Sequence, residues 1–262
     1  MDAPDPAPPI MVSGLSVGFG ARVLLRDVSF RVTRGQIFVI MGGSGSGKST
    51  LLRALLGLHP PMAGEIRYGG EALDRAPPGR RDGILRRFGV LYQSGALFSS
   101  MTLAENVAVP LEMHTRLSAG EIAAVARLKL ALVGLRGSEN LLPAELSGGM
   151  QKRAGIARAM ALDPEILFLD EPSAGLDPMT GRRLDELILA LRNSLGTTVV
   201  LVTHELDSIF RLADDGIFLD GERERVIGAG SPRELLAHSR EQKVLDFLTR
   251  GGDRASTEET RA

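Results

Sequence analysis

Gly42-Gly43-Ser44-Gly45-Ser46-Gly47-Lys48-Ser49 constrains this chain more than any other segment. It fits the pattern G-x-x-x-x-G-K-[ST] in full. Gln36–Met41, just before it, is rich in apolar and β-branched residues and reads as a buried strand. Just after it, Leu51, Leu52, Leu55 and Leu56 recur at helical spacing, so Ser49–Leu58 reads as a helix. A strand, a glycine loop and a helix in that order aim free backbone N–H groups at an anion. The glycines let a phosphate approach the backbone, Lys48 reaches the β- and γ-phosphates, and the Ser49 hydroxyl suits Mg²⁺. Gly42 through Ser49, with Thr50 next in the chain, are therefore the candidate ATP-binding residues. A glycine-rich turn with an incidental lysine would need neither the strand nor the helix.

The remaining pattern supplies a matching scaffold. Val28–Val32 alternates, Gly64–Tyr68 and Gly89–Tyr92 read as strands, and Asp74–Arg81 reads as a polar, proline-containing loop. From residue 102 to 161 the texture is helical, with Ser118 and Glu121 forming a capping box. Strands return at Ile166–Asp170, Thr198–Thr203 and Gly216–Leu219, alternating with helices near 179–195 and 205–213. Such alternation implies a parallel sheet covered on both faces. The fold class expected is α/β, a nucleotide-binding core interrupted by helices at about residues 95–162. Residues 1–9 carry four prolines and read as a disordered lead; 251–262 read as a flexible tail.

Composition removes other options. The chain has 262 residues and no cysteine, which excludes disulfides, iron–sulfur clusters and a thiolate nucleophile. The net charge of −1 gives no basic field for nucleic acid. Apolar runs such as Val199–Val202 fall far short of the ~18 residues that a membrane span requires. The acidic, proline-rich start does not resemble a signal peptide. The expected location is the cytoplasm, with a membrane reached only through a partner.

Asp170 and Glu171 end the strand Ile166–Leu169, where carboxylates of a parallel sheet face the ligand crevice. Asp170 suits a Mg²⁺ shell, and Glu171 suits polarisation of an attacking water. Four further features narrow the class. Leu146-Ser147-Gly148-Gly149-Met150-Gln151 is an LSGGQ-like signature; Gln93 follows a strand; Ser173-Ala174-Gly175-Leu176-Asp177 follows the acidic pair; His204 follows the strand ending at Thr203. Together they resemble the ABC ATPase family over roughly residues 10–240.

The resemblance implies a P-loop NTPase, RecA-like core at 10–94 and 163–250, with an antiparallel β region and an α-helical subdomain inserted at 95–162. It implies catalytic roles for Glu171 and His204, and a Mg²⁺ site at Ser49, Gln93 and Asp170. It makes Phe19 the residue that stacks on adenine, where the family usually has tyrosine. It gives Ser147, Gly148 and Gly149 to the nucleotide held by a second subunit, since a serine and glycines opening a helix present N–H groups to an anion, and it counts Asp177, at the end of the loop after the acidic pair, among the ATP-binding residues.

Leu91-Tyr92-Gln93-Ser94-Gly95-Ala96-Leu97-Phe98-Ser99, running into Met101-Thr102-Leu103-Ala104-Glu105-Asn106-Val107, is similar to the ATPases of Mla/Mce-type lipid transport systems. Met150 followed by Lys152-Arg153, and the ending Val244–Arg250, look alike as well. That resemblance implies ATP and Mg²⁺ as cofactors and a homodimer of ATPase subunits. It also implies two copies of an integral membrane permease, a lipid-carrying MCE-domain protein, and a place on the cytoplasmic face of the inner membrane. Three alternatives stay open: the ATPase of an amino-acid or metal importer, a soluble ABC protein of translation or DNA repair, and a silent regulatory cassette. Against the last, Lys48, Asp170, Glu171 and His204 are all present.

Overall fold

The computed structural model describes residues 7–93 and 95–249. The expectations for residues 1–6, for Ser94 and for the tail from 251 lie outside the described residues.

The chain opens with β1 (Ile10–Phe19), β2 (Arg22–Val32), β3 (Ile37–Gly42), α1 (Lys48–Leu55), β4 (Ala63–Tyr68) and β5 (Glu71–Ala72). Next come α2 (Pro78–Leu85), β6 (Phe88–Leu91), α3 (Leu103–His114), α4 (Ala119–Leu132), a 3-10 turn at Pro143–Glu145 and α5 (Gly148–Ala159). They are followed by β7 (Ile166–Asp170), α6 (Pro178–Leu195), β8 (Thr198–Val202), α7 (Leu206–Leu212), β9 (Asp215–Asp220), β10 (Arg225–Ala229), α8 (Pro232–His238) and α9 (Gln242–Leu248).

Two sheets result. A six-stranded sheet runs in the order β10-β9-β3-β8-β7-β6, and a four-stranded one in the order β2-β1-β4-β5. β9, β3, β8, β7 and β6 pair in parallel, while β10 and the whole smaller sheet pair antiparallel. Every residue of β3 and β8 is buried, as expected where helices or a second sheet cover both faces.

Strand alternation sorts those buried residues into two cores. Ile37, Val39 and Met41 of β3 join Leu167, Leu169, Val199 and Leu201 on one face, packed on α3 to α7. Phe38 and Ile40 join Ile166, Phe168, Val200 and Val202 on the other, packed on α1 and the smaller sheet. Each such fully buried aliphatic or aromatic side chain contributes about 1.5–3 kcal/mol relative to exposure.

Specific contacts tie the layers. Tyr68 is fully buried, and its hydroxyl donates to the Leu55 carbonyl at 2.5 Å, joining β4 to the end of α1. Gly155 lets α5 press on β6: a Cβ there would stand 2.5 Å from Leu91 Cδ1. Buried Asp185 of α6 accepts from Ser208 Oγ at 3.0 Å and Arg211 Nη1 at 3.0 Å, fixing α7 against α6.

The helix α2 departs from expectation, because Asp74–Arg81 reads as loop in the sequence. Pro78 is at a helical first turn, where its missing N–H costs nothing. Only Ile84 of that helix is buried, so no apolar stripe marks it. Among the described residues, no helix is long and apolar enough to cross a membrane.

Candidate functional site

The phosphate loop lies between the C-terminal end of β3 and the first turn of α1. Gly42 has φ +146, and a Cβ on it would come within 2.5 Å of Ser46 Oγ and 2.6 Å of the Leu219 carbonyl. Glycine is thus required by both conformation and space. Gly47, at φ 95, is the N-cap of α1 and brings no side-chain cap, so the helix N–H groups stay available. Lys48 folds back over the loop, with Nζ donating to the carbonyls of Gly42 and Gly43 at 2.8 Å each. Burial pulls its ammonium below the usual lysine range, while the charges of Glu171 and Asp170 work the other way.

A cleft of about 650 Å³ gathers Gly42, Gly43, Ser44, Gly45, Lys48, Ser49, Gln93, Asp170, Glu171 and His204. These residues come from four loops at the C-terminal ends of β3, β6, β7 and β8, the side where open parallel sheets bind ligands. Asp170 ends β7, and its carboxyl is pushed up by burial and by the neighbouring Glu171 charge.

Glu171 is held most tightly. It is a non-glycine residue in the left-handed region, at φ 47, a conformation that costs about 1–2 kcal/mol. Its N–H donates to the Val202 carbonyl at 2.8 Å, and its own carbonyl accepts from Lys152 Nζ at 3.2 Å. Oε1 lies 2.8 Å from His204 Nδ1. A carboxylate only accepts, so the imidazole carries its proton on Nδ1 there. Oε2 is buried without a partner, as is Ser46 Oγ. A buried carboxylate oxygen without a partner, on a residue that lines a polar cleft, leaves acceptor capacity unused at the edge of that cleft.

Other sequence-marked residues stand apart from this cleft. Thr50 is buried within α1. Phe19 is half exposed at the end of β1, its ring 4.8 Å from that of His59. Ser147 caps α5, accepting from the Met150 N–H at 3.3 Å, and Ser147 and Gly148 are exposed. Gly149 rests against Thr180 of α6. Asp177 caps α6, accepting from the N–H groups of Met179 and Thr180 at 3.1 and 3.0 Å. These last four lie outside the residues that line the phosphate cleft.

Three contributors were not legible as site residues. Asp246 and Phe247 of α9 line the same cleft. They are held there by the Phe247 ring on Phe218 at 5.1 Å and by Lys243, which donates to Asp220 at 3.1 Å and Glu222 at 2.5 Å. Lys152 of α5 donates to the carbonyls of both Gln93 and Glu171.

No group of three or more His, Cys, Asp or Glu able to hold a metal alone occurs among the described residues. Ser49, Gln93 and Asp170 nevertheless line one cleft with the phosphate loop. One hydroxyl, one amide and one carboxylate suit Mg²⁺, which keeps waters and substrate phosphates in its shell.

The profile of the ABC transporter family matches residues 25–174. The intermembrane phospholipid transport system ATP-binding protein MlaF of Escherichia coli K12 is 41% identical over 229 residues, 87% of this chain and 84% of its own. The probable ribonucleotide transport ATP-binding protein mkl of Mycobacterium tuberculosis is 41% identical over 239 residues, 91% of this chain. The chain spans 66% of that relative's length. Among solved structures, the dimeric post-hydrolysis state of the ATP-binding cassette MJ0796, bound to ADP and Pi, superposes with a TM-score of 0.75 at 30% identity. It covers 84% of this chain and 97% of its own. A P-loop cleft on a mixed sheet with an LSGG helix defines an ATP-binding cassette, and this chain belongs to the ABC transporter family as one of its ATP-binding subunits.

Proposed function

We propose that this chain hydrolyses ATP to drive phospholipid movement through a membrane permease. The observation that carries the chemistry is the Glu171 carboxylate: it lines a cleft shared with Lys48, Oε1 lies 2.8 Å from His204 Nδ1, and Oε2 is buried with no partner. The Glu171 carboxylate accepts the proton of the attacking water. His204 donates from Nδ1 and keeps the carboxylate aimed. Lys48 exchanges the loop carbonyls for phosphate oxygens, and the loop N–H groups bind the remaining charge. Ser49, Gln93 and Asp170 would hold Mg²⁺, which supplies neutralisation of the phosphate charge. Phe19 serves the adenine from the edge of the site. Ser147, Gly148, Gly149 and Asp177 serve the nucleotide of a second copy.

The partner reading rests on the loop after Gln93. Phe98 is 48% exposed yet rigidly held. Asn106 Oδ1 accepts from the Phe98 N–H at 2.8 Å, and Asn106 Nδ2 donates to the carbonyls of Phe98, Met101 and Thr102 at 3.0–3.1 Å. Arg158 donates to the carbonyls of Ala96 and Gly95 at 2.7 and 3.2 Å, with its guanidinium 5.7 Å from the Phe98 ring. An exposed aromatic on a preorganised loop suits docking of a short permease helix. Residues 95–162, read as a helical subdomain, would carry that push between nucleotide and membrane.

The two relatives' names differ on cargo, at equal identity. The greater coverage of MlaF, 84% against 66%, and the loop at 91–107 favour phospholipid. The assembly proposed is two copies of this chain, two permease subunits and an MCE-domain protein, on the cytoplasmic face of the inner membrane. Purification from membranes in mild detergent tests it. A small polytopic permease, an MCE-domain protein and bound phospholipid are expected together. Recovery of another permease, with ribonucleotide uptake lost on deletion, would keep the ATPase and discard the lipid.

A further inference from the structure

Lys152 sits in the second turn of α5, five residues beyond Ser147, and is only 7% exposed. A buried ammonium is costly unless its protons are used. Here its Nζ donates to two main-chain carbonyls from different loops, that of Gln93 and that of Glu171, the latter at 3.2 Å. The first carbonyl belongs to the loop after β6, which continues into the rigid Phe98 turn. The second belongs to the left-handed residue that carries the orphaned carboxylate oxygen. Lys152 itself does not line the phosphate cleft.

We infer that Lys152 is a positioning residue for ATP hydrolysis: it staples the signature helix to the Gln93 loop and holds Glu171 in its strained backbone conformation. This rests on the reading of Glu171 as the group that receives the water's proton. A non-glycine residue persists in the left-handed region only where its surroundings fix it. The Glu171 N–H is tied to Val202, and its carbonyl accepts both from the Ala174 N–H of its own turn at 3.2 Å and from the Lys152 ammonium, which grips it from the helix side. Without it, the Glu171 backbone is held only by the Val202 and Ala174 bonds and loosens, and the carboxylate shifts from its place on the cleft, while the phosphate loop is untouched. A misplacement of about an ångström at a reacting group costs on the order of a hundredfold in rate. The same staple joins three parts that must agree before turnover: the helix that meets a second copy's nucleotide, the loop that meets a membrane partner, and the carboxylate.

The test compares wild type with Lys152→Met, Lys152→Gln, Glu171→Gln and Lys48→Ala in the full chain. Steady-state phosphate release and direct MgATP binding are read at a temperature where circular dichroism shows each variant folded. Lys152→Met is expected to lower kcat by roughly ten- to a hundredfold and leave the Kd for MgATP within twofold. Lys152→Gln, which keeps an N–H donor for one carbonyl, should recover part of that loss. The inference is overturned if Lys152→Met keeps kcat within twofold, or if binding and turnover fall in proportion. Should Lys152→Met not fold, Lys152→Gln decides alone, with a threefold or greater loss of kcat at unchanged Kd required. Rapid hydrolysis by Glu171→Gln, or unimpaired binding by Lys48→Ala, would instead remove the reading of the site on which the inference stands.

Discussion

The proposed function concentrates the chemistry of the site in Glu171. Its backbone is strained at φ 47, one carboxylate oxygen is engaged at 2.8 Å by His204, and the other is buried and free. Glutamine at this position keeps the size and one oxygen but cannot take a proton at neutral pH. Glu171→Gln is therefore expected to bind MgATP as wild type does and to lose about a hundred- to ten-thousandfold in turnover, the usual worth of a general base. Isothermal titration and phosphate release check the two halves separately; weakened binding would mean that the carboxylate grips nucleotide rather than water. The residues of this centre were legible because their signals are local. A glycine loop behind a buried strand, and two carboxylates at a strand end, need only a few neighbours in sequence to be read. Lys152, Asp246 and Phe247 carry no such pattern. They reach the site from 19 to more than 70 residues away from Glu171, through helix packing that only the folded chain displays.

Helix starts show how one local device serves two purposes. Ser118 caps α4 in a full box: its Oγ accepts from the Glu121 N–H at 3.4 Å, and the Glu121 carboxylate accepts from the Ser118 N–H at 2.7 Å. Ser147 caps α5 with the same bond but no acidic partner, leaving exposed N–H groups beside two glycines. Ser118→Ala should cost about 1 kcal/mol of stability with no change in ATP turnover. Ser147→Ala should cost a similar amount and, if the proposed function holds and its hydroxyl also serves a second copy's phosphate, lower turnover at least tenfold. Urea denaturation and phosphate release on both variants make the comparison, and equal turnover would reduce the signature serine to an ordinary cap. The first box was plain in the sequence. The equivalent one at Ser231 and Glu234, with Pro232 in the first turn, caps α8 in the same way, but no long apolar stripe follows it, so the sequence pattern alone does not single that helix out. β10 escaped for another reason. Its residues are half-buried or exposed, and it exists because β9 offers an antiparallel edge.

At the scale of the molecule, the proposed function asks one chain to hold two half-sites. Lys48, Asp170, Glu171 and His204 line one cleft, while Ser147 and Gly148 are exposed elsewhere on the surface. Gly149 is packed on α6, so the signature cannot swing to its own phosphate loop without unpacking that helix. A second copy facing the first in reverse is the arrangement that brings each signature to the other's phosphate loop, and a similar cassette has been solved as a dimer. A net charge of −1 raises little long-range repulsion between copies, so the bound polyphosphate can act as the bridge. Association should then depend on nucleotide, because each ATP is gripped from both sides only when the pair is closed. Glu171→Gln with saturating MgATP should run at twice the 28.0 kDa chain mass in light scattering, and return to 28.0 kDa when nucleotide is removed. Lys48→Ala should stay at the single-chain mass in both conditions. In the wild type, specific ATPase activity should rise with protein concentration until the pair is fully formed. A Glu171→Gln chain that stays single under ATP, yet binds it, would place the signature's partner elsewhere and reduce the exposed Ser147-Gly148 pair to a helix end.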